Sequence, residues 1–178
     1  ADRLSAKTVK MLTECHQRSS TIAMEAGSQR LRQFINKNLS DDQIAASIKT
    51  AAENGLKALK IYAMIGLPEE EDKDIENMVA LVKNLQKENK DISLTLSTSS
   101  FVPKAQTPFQ WYGREEEKIL ENRNNYLKKH LHISGIKYRP TSIKWDEIQA
   151  VISRGDRRLS DLLIKVYEYK ASLGSWHR

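Results

Sequence analysis

The sequence predicts an α/β protein built on a parallel sheet. Three short apolar runs have the composition of strands, at residues 21–24, 59–65 and 92–100. Between them the apolar residues recur at helical spacing, and parallel strands are joined by crossovers of about a dozen residues or more, usually helices. This alternation leaves two architectures open, a (βα) barrel and a doubly wound open sheet.

Three helix signals and one strand precede the central strand. Ser5 can cap a short helix, and residues 21–24 form the first apolar run. A second helix begins at Ser28, because the apolar side chains that follow it recur on one face. Residues 40–43, SDDQ, have the spacing of a capping box and start a third helix, which Gly55 ends.

The central strand and the elements after it repeat the pattern. Residues 59–65 alternate at first and then merge into an unbroken apolar run, as expected for a strand covered on both faces. A helix from about Asp72 leads to the strand at 92–100, which alternates with period two. Pro103 and Pro108 enclose an irregular segment, and one more helix covers about 115–131.

Two units are expected along the chain, an α/β unit at residues 1–135 and a helical extension at residues 136–178. Gly135 ends the first unit. The second has the pattern of two helices hinged at Arg154, Gly155 and Asp156, and no strand is expected in it.

The composition is typical of a soluble globular protein, and the single cysteine indicates a reducing cytoplasm. Hydrophobic residues make up 39% of the chain and charged residues 29%, and no apolar run approaches the roughly 18 residues of a membrane span. The first residues lack the apolar stretch of a signal peptide. Cys15 is the single cysteine, so it can neither form an internal disulfide nor bind zinc or an iron–sulfur cluster alone. We therefore expect neither membrane association nor a metal site within the chain.

The formal net charge of +6 comes from the last third of the chain. Residues 1–127 carry 18 basic and 18 acidic side chains, whereas residues 128–178 carry 11 basic and 5 acidic ones. Two interpretations stay open for this segment. It forms either a surface that faces phosphate or nucleic acid, or a set of solvated helix faces with dispersed charges.

The candidate site lies at the carboxyl ends of the predicted strands, where parallel α/β proteins bind their ligands. Three such ends combine small residues with polar ones: MEAGS at 24–28, MIGLPEEE at 64–71 and STSSFVPKAQTPF at 97–109. In the first, Glu25 is a lone carboxylate at the end of an apolar strand. It is either a ligand-binding group, or a residue that caps the next helix or pairs with Arg30.

The order and spacing of these stretches resemble the C-terminal half of the core barrel of radical S-adenosylmethionine enzymes, over roughly residues 4–135. MEAGSQRLRQFINK resembles the ribose-binding strand and the helix after it. YAMIGLPE resembles the fifth-strand GxIxGxxE element, with Tyr62 in the first glycine position, and SFVPKAQTPFQW resembles the end of the sixth strand. RGDRRLSDLL is further similar to uncharacterised radical proteins with an upstream domain like those that bind cobalamin.

The resemblance implies a role for each matching residue. Glu25 would accept hydrogen bonds from the ribose hydroxyls, and Lys37 would neutralise the methionine carboxylate. The backbone at Ile65 and Gly66 would pass close to the adenine, and that of Val102 would face its edge. Glu69 is expected to order the turn. The residues that the resemblance places at the cofactor are Glu25, Ser28, Lys37, Tyr62, Ile65, Gly66 and Val102.

The sequence also departs from that family, because the cluster-binding CxxxCxxC pattern and the first three barrel strands are missing. The resemblance therefore implies a partial (βα) barrel of about three parallel strands with a C-terminal helical extension. The full-length parent would be a radical enzyme that uses S-adenosylmethionine and a 4Fe–4S cluster, with cobalamin as a further candidate. The chain alone would be an inactive fragment whose partner is the rest of that parent.

Two further expectations concern partners. A basic α/β module that binds RNA or another anionic partner is the alternative function. Self-association is expected because the edge strands 21–24 and 92–100 would lack neighbours, most simply as a two-fold dimer. That dimer would bury side chains predicted to face the missing half of the barrel, namely Ile61, Ala63, Ile65, Leu94 and Leu96.

Overall fold

The computed structural model describes residues 4–177 and contains, within them, a four-stranded sheet and seven α-helices. The strands are β1 Ser19–Glu25, β2 Ala58–Ile65, β3 Ser93–Ser100 and β4 Lys137–Pro140. The helices are α1 Ala6–Glu14, α2 Gln29–Phe34, α3 Asp41–Glu53, α4 Asp72–Glu88, α5 Glu117–His132, α6 Ile143–Arg154 and α7 Leu159–Glu168. A 3₁₀ turn, Leu173–His177, follows α7.

All four strands are parallel, and their order in the sheet is their order in the chain, β1-β2-β3-β4. Helix α1 packs on α3, α3 on α4, and α4 on α5. A doubly wound sheet reverses its strand order partway and carries helices on both faces. The single winding direction is that of a barrel segment, so the predicted α/β class and partial-barrel architecture are confirmed.

Local sequence signals set the helix starts as predicted. Ser5, Ser28 and Ser40 are N-caps, and each hydroxyl accepts a hydrogen bond from the backbone N–H three residues later. Ser40 and Gln43 form the predicted capping box. Gly55, with a φ of 94°, follows the end of α3. Each cap of this kind stabilises its helix by about 1 kcal/mol.

The core lies between the sheet and the helices. On β2 and β3, alternate side chains are buried in it, and they pack with apolar side chains of α3, α4 and α5 such as Ile48, Met78 and Leu127. Burying one side chain of this size stabilises the fold by about 1.5–3 kcal/mol. This packing fixes the positions of the strand ends.

The prediction that five of these core side chains face a missing half of a barrel is wrong. They are Ile61, Ala63, Ile65, Leu94 and Leu96. All are at most 3% exposed, because they face the chain's own helices. The side chains between them line the opposite face, where Tyr62 is 45% exposed. A dimer that buries those five side chains is excluded, and self-association of the chain as such stays a prediction.

Strand β4 lies in the segment predicted to be purely helical, so that prediction is wrong. It pairs in parallel with β3, and it therefore replaces β3 at the edge of the sheet. Its Tyr138 donates a hydrogen bond to Asn124 Oδ1 at 2.5 Å, and the same hydroxyl lies 2.6 Å from the Thr98 hydroxyl. The strand has only four residues and carries charges at Lys137 and Arg139, so it contains no apolar run to signal it.

The C-terminal helices are hinged where the sequence predicts. Helix α6 ends at Arg154 and α7 begins at Leu159. The buried Asp146 accepts hydrogen bonds from the Ser100 N–H at 3.0 Å and the Thr141 hydroxyl at 2.6 Å, which fastens α6 to the end of β3. No helix within residues 4–177 has both the length and the apolar character needed to cross a membrane.

Candidate functional site at the strand ends

The carboxyl ends of β1, β2 and β3 meet at one edge of the sheet. Ala23 on β1 pairs with Tyr62 on β2, and Ile65 at the end of β2 pairs with Ser100 at the end of β3. The first residue after β3, Phe101, donates its N–H to the Ile65 carbonyl oxygen at 2.7 Å. The three stretches singled out in the sequence therefore lie side by side.

Glu25 is the last residue of β1 and has an unusual backbone. Its φ is 71°, in the left-handed region that favours glycine, and the register with β2 shifts between Ala23 and Glu25. Left-handed backbone costs a residue with a side chain about 1–2 kcal/mol. Such irregularities at a strand end re-aim a side chain. The Glu25 side chain is 31% exposed, although Met24 just before it is buried.

Lys37, to which the resemblance gives the methionine carboxylate, lies beside Glu25. Its Nζ is 3.4 Å from Glu25 Oε1, and its side chain is 36% exposed. A partly exposed pair at this distance is worth about 0–1 kcal/mol. The alternative in which Glu25 pairs with Arg30 is wrong, because Arg30 Nη2 lies 2.5 Å from Asp74 Oδ2.

Ser28 is built into the scaffold beside this pair. Its hydroxyl accepts a hydrogen bond from the Leu31 N–H at 3.1 Å and donates its proton to the Asp74 carboxylate. Asp74 also accepts from Arg30 and from the Glu71 N–H. Burial alone would raise the pKa of Asp74, but these hydrogen bonds outweigh it and lower that pKa. The predicted cap at Ser28 is confirmed, and its proton is used within the protein.

The other four predicted residues lie in different environments. Tyr62 projects from the exposed face of the sheet. Ile65 is buried in the core, so only its backbone borders the strand ends. Gly66 has a φ of 75°, and its N–H donates to Glu70 Oε2 at 2.5 Å. Val102 is half-buried just beyond β3.

Glu70 holds the turn after β2. Its buried Oε2 accepts from the Gly66 N–H and from Arg123 Nη1 at 2.8 Å, while Arg123 Nη2 donates to the Glu70 carbonyl oxygen at 3.0 Å. Its Oε1 is buried without a hydrogen-bond partner among the described residues. Burial raises the pKa of Glu70 to about 7, against the opposing effects of Gly66 and Arg123.

The role of Glu70 is missed by reasoning from sequence, which assigns the turn to Glu69. Glu69 contributes through its backbone: its φ is 61°, in the left-handed region, and its carbonyl oxygen accepts from Arg30 Nη2 at 2.8 Å, while its side chain is exposed. Three acids in a row, at residues 69–71, carry no signal of which one is buried. That information lies in Arg123, which is 53 positions away in the chain.

An aromatic cluster packs against the same strand ends. The ring centroid of Phe109 lies 5.8 Å from that of Phe34, 6.0 Å from that of Phe101 and 5.5 Å from that of Tyr112. Phe101 is buried in an apolar cluster with Leu67 and its neighbours. The loop after β3 is thereby held against α2 and the turn after β2.

Within residues 4–176, no three His, Cys, Asp or Glu side chains come close enough together to hold a metal ion. Cys15 is exposed just after α1, at the opposite end of β1 from Glu25. A groove of about 640 Å³ opens elsewhere, between α4 and α5, and Ile75, Arg123 and Tyr126 are among its lining residues.

No protein-family model matches the chain. The chain is similar to an uncharacterised protein of Methanocaldococcus jannaschii, with 33% identity over 163 residues. The match covers 92% of the chain and 35% of that protein, so the chain spans about a third of its relative's length. Because the relative is itself uncharacterised, this likeness assigns no activity.

Proposed function

We propose that the chain is the C-terminal half of a radical S-adenosylmethionine barrel, whose edge at Glu25 and Lys37 holds part of the cofactor. The observation that carries the proposal is the partly exposed Glu25 carboxylate on a left-handed residue at the end of a buried strand. Strained residues of this kind cluster at binding sites. Glycine would fit this backbone more easily than glutamate. The presence of a carboxylate there suits a site that needs two hydrogen-bond acceptors, which its two oxygens provide.

The side chains at this edge fit S-adenosylmethionine in charge and hydrogen bonding. Glu25 would accept hydrogen bonds from the ribose hydroxyls, and Lys37 would pair with the methionine carboxylate. Their mutual contact, at 3.4 Å between partly exposed groups, is weak, so exchanging it for ligand contacts costs the protein little. The backbone at Gly66 and Val102 would border the adenine.

The residues of the chain do not fit an iron–sulfur cluster, because such clusters are held by several cysteine thiolates and the chain has one cysteine. We therefore place the 4Fe–4S cluster, and cobalamin if the parent uses it, in parts of a longer polypeptide outside this chain. In that parent the bound cofactor would supply one-electron chemistry. This chain alone would have no activity.

The main partner of the chain would be the rest of that polypeptide, and its single, unpaired cysteine suits a protein of the cytoplasm. RNA binding by the basic segment 128–178 stays the alternative, supported by its 11 basic against 5 acidic side chains.

Titration of the isotope-labelled chain with S-adenosylmethionine, followed by NMR, tests the proposal, because NMR detects weak binding by half a site. We expect saturable shifts of the amides of Glu25, Lys37, Gly66 and Val102, with little change around Lys49 on α3. Shifts that do not saturate, or that map to another surface, would contradict it.

A further inference from the structure

We propose that the open face of the sheet, the face turned away from the helices, binds a small phosphate-bearing anion. Two adjacent rungs of paired residues cross this face. The first rung is Thr21, Lys60, Thr95 and Lys137, and the second is Ala23, Tyr62, Ser97 and Arg139. The identification of this anion as an enzyme substrate rests on the proposed function. The binding of the anion to the sheet does not depend on that function.

The register places both rungs on the same face. Paired residues of neighbouring strands project to the same side of a sheet, and successive residues project to opposite sides. Leu59 and Ile61 flank Lys60 on β2 and are buried in the core, so Lys60 projects the other way. Tyr62, two residues later, is 45% exposed on that open side.

The two rungs have a strongly one-sided charge. They contain three cations, Lys60, Lys137 and Arg139, and none of the eight positions is acidic. Ser97 Oγ donates to the Arg139 carbonyl oxygen at 3.0 Å, which ties β4 to β3 at the second rung. The hydroxyls of Thr21 and Thr95 add hydrogen-bond donors. Cations and hydroxyl donors together are what phosphate oxygens require.

Edge protection explains only part of this charge. Charged side chains on an edge strand discourage sheet-to-sheet aggregation, which accounts for Lys137 and Arg139 on β4. Lys60 lies on β2, which has a neighbouring strand on both sides, and it is half-buried. Its Nζ lies 5.6 Å from the centroid of the Tyr62 ring. A cation at the centre of a sheet, with no acid on its rung, is best balanced by a bound anion.

The size of the patch favours a small molecule over a macromolecule. Residues two apart along a strand are about 7 Å apart, and two strand spacings are about 10 Å. The three cations therefore frame an area that one phosphate ester would cover. A stable protein partner would need about 800 Å² on each side.

Titration of the chain with pyrophosphate, followed by amide NMR shifts, tests the inference. We expect saturable shifts on β2, β3 and β4. The paired variant Lys60→Gln with Arg139→Gln should bind at least about tenfold more weakly. The control pair Lys49→Gln with Lys73→Gln removes the same charge from α3 and α4, where both side chains are 71% exposed, and should change affinity less than about twofold.

Three results would overturn the inference. They are shifts that do not saturate, an equal loss in both variant pairs, and an RNA oligonucleotide that displaces pyrophosphate while shifting mainly residues 141–176. Binding of pyrophosphate without binding of S-adenosylmethionine would leave this inference standing and remove the proposed cofactor site. Binding of S-adenosylmethionine without binding of pyrophosphate would support the proposed cofactor site and overturn this inference.

Discussion

Glu70→Gln tests whether the buried turn after β2 contains a carboxyl that binds a proton near neutral pH. In the folded protein burial raises the pKa of Glu70 to about 7, from the ordinary value of 4.5. The folded state therefore keeps a proton that the unfolded state releases between these two values. The stability that Glu70 contributes is fully present below pH 4.5 and is lost as the pH rises through about 7.

The size of the effect follows from the difference between the two pKa values. One pKa unit corresponds to about 1.4 kcal/mol, so the whole effect is on the order of 3 kcal/mol. Gln at this position keeps an oxygen that can accept from Gly66 and Arg123, but it does not titrate. Relative to Glu70→Gln, the wild-type chain should therefore lose stability as the pH rises from 4.5 to about 7.

Urea denaturation at a series of pH values measures this difference directly. Glu121→Gln, at an exposed position on α5, controls for the loss of one glutamate. A constant difference between wild type and Glu70→Gln, or a wild type that gains relative stability as the pH rises, would refute the reasoning. Either result would mean that Arg123 and the Gly66 N–H outweigh burial and keep Glu70 ionised.

Three further predictions concern the strand ends and the binding of an iron–sulfur cluster. Gly66→Ala should lower the free energy of unfolding by about 2–4 kcal/mol, because its Cβ would lie 2.7 Å from Leu120 Cδ2 on a left-handed backbone. Gly135→Ala, also left-handed but with no atom within 4 Å of the added Cβ, should cost only about 1–2 kcal/mol, and equal losses would contradict the steric argument. Glu25→Gly should be more stable than Glu25→Ala by about 1 kcal/mol, because glycine adopts the left-handed backbone of this residue more easily than alanine does. Within a strand alanine is ordinarily the more stable of the two. If urea denaturation shows Glu25→Ala to be the more stable variant, the backbone at Glu25 is unstrained. Anaerobic reconstitution with iron and sulfide should give no stoichiometric cluster absorbance, because the chain has one cysteine, and stable incorporation of a four-iron cluster would refute this.

Features encoded within one element could be predicted from the sequence. The caps at Ser5, Ser28 and Ser40, the apolar stripe of α4 and the parallel strand β2 each depend on residues a few positions apart. The hinge between α6 and α7 was predictable for the same reason, since Gly155 lies between two runs of helical periodicity.

Features that depend on distant partners could not be predicted. The alternation on β2 defines two faces, but only the packed helices decide that Ile61 is covered and Tyr62 is open. Strand β4 is identified by its pairing with β3 rather than by its own four residues. At the site, the contact between Glu25 and Lys37 was not predicted from the sequence, and Glu70 is recognised only through Arg123.

The affinity of the chain for S-adenosylmethionine in Glu25→Ala and Lys37→Ala tests the central claim most directly. Removing one partner of a charge-assisted hydrogen bond costs about 1–3 kcal/mol, so NMR titration should show each variant binding about 5- to 150-fold more weakly than wild type. Lys49→Ala and Glu53→Ala are matched controls, because they break an exposed ion pair on α3 whose Nζ–Oε1 distance is 3.9 Å. These controls should bind like wild type. Unchanged affinity in both Glu25→Ala and Lys37→Ala, or an equal loss in the controls, would show that the cofactor groove is not at this edge.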